Sequence, residues 1–188
     1  MIRGTDVAPG TLLLATAELA DPNFAHTVVM LLDVNDEGAL GIVLNRPSPV
    51  LVAEVLEPWG ALCAEPEVLF RGGPVSPDGA LAIALLRDSE DVPVGFRTVV
   101  GRLGMLDLDT PVELVDGGIG GVRVYAGYAG WGAEQLQEEI AEGSWYVVAG
   151  EAGDAFRADT TDLWRDVLRR QPGHLAWHTT RPVDPNLN

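Results

Sequence analysis

The sequence predicts an α+β fold built largely on antiparallel pairing, and three observations carry that reading. About seven or eight short apolar, β-branched runs share the chain with three or four short amphipathic segments. These do not alternate as a regular βαβ series. No G-x-G-x-x-G follows the first strand, where a dinucleotide-binding sheet would carry it.

The elements follow in order. TLLLA (11–15) reads as a short buried strand. In HTVVMLLDVNDEGALGIVLNRP (26–47), two β-branched runs flank residues 34–38, which predict a hairpin loop of four or five residues. Pro47 removes a ladder donor and ends the second run. Ser48 and Pro49 then predict an N-cap and a first helical position, with Val52, Val55, Leu56 and Trp59 at helical spacing. VLFRGGPVSPDGALAIALL (68–86) reads as strand, glycine-proline corner, strand, and a polar loop follows over 87–95. Residues 97–101 and 105–109 read as strands, the second with Met105, Asp107 and Asp109 on one face. Thr110 and Pro111 predict a short helix to about Val115.

GVRVYAG (121–127) is a further strand, ending in a glycine turn made by Gly127, Gly130 and Gly132. A helix follows from about Ala133 to Glu142, with Leu136 and Ile140 inward and Gly143 at its end. SWYVVA (144–149) is a strand. The last helix, from about Thr161 to Arg170, turns Leu163, Trp164, Val167 and Leu168 inward and stops before Pro172. Residues 178–188 carry no burying pattern and read as a mobile tail. With no linker or repeat, one domain spans 1–188, its core over about 10–170.

Composition narrows the function classes. Hydrophobic residues at 47% against 21% charged suit a soluble globular chain. No apolar run approaches the roughly 20 residues a spanning helix needs, and MIRGTDVAPG lacks the pattern of a leader. Cys63 has no partner for an internal disulfide, which points to the reducing cytoplasm. Its acidic neighbours raise rather than lower a thiol pKa, so it reads as structural. All 12 basic residues are arginine, set against 28 acids for a net charge of −16. The absence of lysine removes Schiff-base chemistry and a Walker-type lysine, and the charge argues against direct nucleic-acid binding.

Few constellations rise above this background. The glycine turn before the 133–142 helix could face an anion, but Glu134 would repel a phosphate there. Tyr128 and Trp131 offer flat apolar surface instead. Arg71 in RGGPV could clamp a carboxylate or phosphate, though pairing with one of the many surface acids explains it more simply, and Arg46 has the same two readings. His26, His174 and His178 lack zinc-ligand spacing. Asp107 and Asp109 could hold magnesium with a third ligand, though a solvated strand face explains them more simply. No nucleophile elbow is present, and the serines sit at turns or caps. The expectation is no cofactor, no metal and no enzyme.

Taken in order, GTLLLA, DPNFAHTVVMLLDVNDEGALGIVLNRP, GGPV and YAGYAGWGAEQLQEEIAEGSWYVV resemble the bacterial AlgH/YqgE family, from about Gly10 to Arg170. The matching positions are Asn45, Arg46, Pro47, Gly72, Gly73, Pro74, Gly127, Tyr128, Gly130, Trp131, Gln135 and Leu136. The resemblance implies a bifurcated sheet folded into a pseudo-barrel with helices outside. Members are commonly labelled transcriptional regulators, through one linked to alginate production, and the family brings no established catalytic residues. Two positions depart: a glycine is usual where Glu134 stands and an arginine is common where His26 stands.

The expected ligand site is a groove lined by Asn45, Arg46, Arg71, Gly72, Gly73, Tyr128 and Trp131, because glycine corners allow close approach. The function expected is that of a cytosolic, non-enzymatic binding or regulatory domain for a small ligand or protein partner. The alternatives are direct regulation on DNA and a hydrolase-type enzyme using Asp107, Asp109 or a histidine.

Overall fold

In TLLLA every position after Thr11 is apolar, so the strand must be covered on both faces, and it is: Leu12 and Leu14 enter one core while Leu13 and Ala15 enter another. The computed structural model describes residues 7–180, with side-chain surroundings as far as Trp177. Its elements are β1 (Thr11–Ala15), β2 (Val28–Asn35), β3 (Gly38–Val43), β4 (Pro47–Leu51), α1 (Val52–Val55), α2 (Glu57–Gly60), β5 (Val68–Arg71) and β6 (Val75–Leu86). There follow β7 (Phe96–Val100), β8 (Leu103–Leu106), β9 (Ile119–Gly132), α3 (Gln135–Ala141), β10 (Trp145–Ala149) and α4 (Leu163–Arg169), with three short 3-10 turns between and after them.

The main path runs β10-β1-β2-β3-β9-β6-β8-β7, and β4 joins through β5. Every pairing between these strands is antiparallel except β5 with β9. The sheet forks at β9. One edge of β9 pairs with β6, and the other meets Cys63 at Val122, β5 at Tyr125 and Ala126, and β3 from Ala129 to Gly132. The far arm curls back: Arg97 of β7 reaches Asp33 of β2 at 3.6 Å, and Val99 packs on the central core. The result is a bifurcated sheet folded into a pseudo-barrel with its helices outside.

Three cores fill it. The central one joins Met30, Ile42, Phe70, Ile83 and Tyr125 to Leu163, Val167 and Leu168 of α4. A second, on the outer face of β1–β3, is covered by Leu136 of α3 and Phe24. The third, behind β6, β8 and β9, is covered by Val52 of α1 and Trp59 of α2.

The structure corrects several sequence expectations. The hairpin loop is only Asp36-Glu37, since Asn35 pairs with Gly38 and its side chain accepts from the Glu37 N–H. Ser48 and Pro49 begin no helix: they lie in β4, an edge strand where proline is tolerated, and the helical spacing takes hold only from Val52. Asp107 and Asp109 leave the strand after Leu106 for a turn in which Asp107 Oδ1 accepts the Asp109 N–H at 2.9 Å. The segment after Pro111 is a single 3-10 turn, Val112–Leu114.

The glycine stretch is no turn at all. β9 continues to Gly132, and Gly130 and Gly132 pair with Leu40 and Gly38. Here glycine lets backbones approach: a Cβ on Gly73 would sit 2.2 Å from the Tyr128 carbonyl oxygen. The corner into α3 is confined to Ala133 and Glu134. A 3-10 helix continues over Gly173–Thr180, where part of a mobile tail was expected, and residues 181–188 lie outside the described residues.

Candidate functional site

The largest departure from ladder pairing opens a largely apolar cleft. Val75 pairs with Tyr128 and Ala80 with Ala126, so Ser76, Pro77, Asp78 and Gly79 stand opposite Gly127 alone. This bulge bends β6 away from its neighbours. It holds Ser76 at φ 46°, a left-handed conformation that costs a non-glycine residue about 1–3 kcal/mol. Beneath it lies a cavity of about 520 Å3 between β6, β8 and β9. Leu56, Leu81, Leu106 and Leu108 supply apolar wall, Tyr128 stands at one side, and Asp107 and Asp109 are the only charged residues lining it among the described residues.

The aspartate rim is held in place. Asp107 N–H donates to the Gly95 carbonyl at 2.9 Å, and Trp59 Nε1 donates to the Leu108 carbonyl at 3.3 Å. The Asp107 carboxylate also binds its own turn, whereas that of Asp109 makes no hydrogen bond or ion pair to a described residue. Chemically, the site offers burial for an apolar body and negative charge at its edge.

The seven residues expected from sequence fall in different places. Asn45 bridges two strand ends, accepting from Val28 N–H at 3.0 Å and donating to the His26 carbonyl at 2.9 Å. Arg46 donates to the Pro22, Asn23 and Ala25 carbonyls, fastening the 21–26 loop. Both line a separate depression of about 400 Å3 beside the start of α4. Arg71 is exposed, and its N–H donates to the Arg46 carbonyl at 2.8 Å. Gly72 and Gly73 are packing positions against β9, Gly72 donating to the Ala126 carbonyl at 2.9 Å. Tyr128 lines both the bulge cavity and a shallower hollow shared with Trp131. Trp131 is buried, its Nε1 donating to Glu139 Oε2 at 2.9 Å, and Trp145 donates to the same oxygen at 2.8 Å. That carboxylate pins α3 to the sheet.

Two features escaped the sequence reading. The first is Arg123, buried at 1% exposure in the middle of β9. It donates to the Glu65, Ala155 and Arg157 carbonyls and lies 4.5 Å from the Phe70 ring centroid, with no carboxylate partner among the described residues. A lone charge inside GVRVYAG was the available signal. The second is the bulge, signalled by Ser-Pro-Asp-Gly within a strand pattern. Cys63 is half-buried beside β9, and burial first, then Glu67, pushes its thiol up to about 11 against the opposing pull of Arg123. It is a packing residue with no activated thiolate.

Residues 12–176 match the family described as AlgH-like, DUF179. The chain belongs to the AlgH-like family. A UPF0301 protein of Streptomyces coelicolor is 52% identical over 182 residues, covering 95% of this chain and 94% of its own. A UPF0301 protein of Thermobifida fusca is 47% identical over 188 residues, with 95% and 94% covered. Among solved structures, a Corynebacterium diphtheriae protein superposes with a TM-score of 0.86 at 29% identity, covering 94% of this chain and 93% of its own. The AlgH protein of Pseudomonas aeruginosa superposes with a TM-score of 0.69 at 28% identity, with 93% and 94% covered. Glu134 sits at φ 66° and His26 at φ 60°, in the left-handed region that glycine enters more freely than either.

Proposed function

We propose that this AlgH-like protein is a cytoplasmic, non-enzymatic binding domain whose ligand is a small organic cation with an apolar body. The observation that carries the reading is the bulge cavity, where leucine and tyrosine walls meet a rim that carries the carboxylates of Asp107 and Asp109. Such a cleft, largely apolar with a few placed polar groups, is the ordinary form of a small-molecule site. Carboxylates at the rim favour an ammonium or guanidinium and repel phosphates and carboxylates. The overall charge of −16 works the same way: it attracts cations over a distance and opposes binding to nucleic acid.

Thermal unfolding against paired amines, guanidines and carboxylates of matched carbon skeleton tests this. A cation at about 100 times its dissociation constant adds roughly 2.7 kcal/mol of stability. The expected result is a saturable upward shift with cations only. Asp109→Asn weakens that affinity by about tenfold, the loss of one charge-assisted contact. No cation giving a shift, or a shift equal in Asp107→Asn, Asp109→Asn and the parent protein, sinks the reading.

A further inference from the structure

We propose a second site of opposite sign: the depression between the 21–26 loop and the start of α4 takes the phosphate group of a small molecule. It shares no lining residue with the bulge cavity, so the two proposals stand or fall separately.

Positive charge in this depression is only partly neutralised. Arg46 satisfies three donors on the Pro22, Asn23 and Ala25 carbonyls, which fix the guanidinium without cancelling its charge. Burial first, and then repulsion from Arg71, push its pKa down, while Asp21 opposes them. Arg165 lines the same depression half-buried and forms no hydrogen bond or ion pair to a described residue. Arg71 likewise has no carboxylate partner among the described residues. In a chain with 28 acids and 12 arginines, an arginine can readily find a carboxylate. Two arginines and His26 nevertheless converge here on a single lining acid, Asp162.

Geometry supports the same ligand class. The depression is more polar than the bulge cavity and holds about 400 Å3, room for a phosphate and a small substituent. Guanidinium groups match phosphate oxygens in pairs. Trp164 forms part of the wall and is locked there by its Nε1 donating to the Ala15 carbonyl at 2.9 Å. An oxyanion entering this space relieves the repulsion between Arg46 and Arg71 and gives Arg165 its missing partner.

The test is a titration of the whole chain with inorganic phosphate at constant ionic strength, with chloride and acetate as controls. The readout is the nuclear magnetic resonance signal of the Trp164 indole N–H together with the Arg165 and His26 amides. Saturable shifts confined to this depression are expected, with affinity about tenfold weaker in Arg165→Gln, which breaks no hydrogen bond or ion pair to a described residue. Arg71→Gln gives a second, smaller loss by reducing the local positive charge. Equal responses to acetate or chloride, an absent or non-saturating response, or affinity unchanged in Arg165→Gln overturns the proposal.

Discussion

Arg123 shows how one residue organises several segments. Its guanidinium gathers the carbonyls of Glu65, Ala155 and Arg157, drawn from two stretches far apart in sequence, and stacks near Phe70 and Phe156. Replacing a buried ion pair with apolar groups is often neutral, because both charges leave together. That compensation does not exist here, since the acceptors are main-chain carbonyls that no substitution removes. Arg123→Met is therefore expected to strand them and to destabilise the fold by about 3 kcal/mol or more, at about 1–3 kcal/mol for each buried acceptor left unpaired. Urea unfolding measures this, and a midpoint unchanged from the parent protein would show that the carbonyls find other partners.

At the scale of elements, the entry to α3 concentrates the local tension. Glu134 is its N-cap and stands at φ 66° with no side-chain cap bond, while Gln135 Oε1 accepts the Gly132 N–H at 3.0 Å. A left-handed glutamate costs roughly 1–2 kcal/mol that glycine does not. Against this stands the greater entropy glycine loses on folding. Glu134→Gly is expected to gain about 1 kcal/mol net and to raise the melting temperature by about 2–4 °C in a domain this size. A melting temperature that falls would show that the glutamate contributes more than its conformation costs. The last helix is held differently: Asp154 is buried and takes Arg170 in a two-pronged contact at 2.5 and 2.6 Å, which ties the end of α4 to the segment after β10. Two parallel hydrogen bonds from a partly exposed guanidinium to a buried carboxylate make this tie specific in geometry as well as in charge.

For the molecule as a whole, alkaline pH is the expected weak point. Burial raises the Cys63 thiol from 9.0 to about 11 and raises the fully buried Tyr125 phenol further still. The folded chain therefore keeps both protons where the unfolded chain releases them. Their stabilising contribution is complete below about pH 9 and is lost as pH rises through the folded values. The urea midpoint should fall from pH 9 to pH 11, and Cys63→Ala should flatten the first part of that decline. An identical decline in the variant would assign the loss to other groups.

Much of the architecture was legible in the sequence. Apolar runs announced β1, β2, β3, β5 and β10 because strands that bury side chains on both faces carry apolar residues consecutively over the buried stretch. The helices α3 and α4 were legible for the complementary reason that each buries one stripe and ends in a terminating residue. Of the candidate site, Tyr128 was found, and Asp107 and Asp109 were weighed as a solvated face. Local pattern also misled: Ser48-Pro49 carried a helix signal inside β4, and the glycines of β9 carried a turn signal inside a strand. In both, pairing with a distant segment outweighed local preference, β5 in the first and β3 with the Gly72-Gly73 backbone in the second. The sequence by itself determined which segments are apolar on which faces, the absence of lysine and the strong negative charge, since these are properties of residue order alone. Only the tertiary structure decided that β9 forks the sheet, that Arg123 is buried against main-chain carbonyls, and that two aspartates and two arginines line separate hollows. Those outcomes depend on which distant backbones meet, and hydrogen bonds between segments far apart leave no periodic trace in either one.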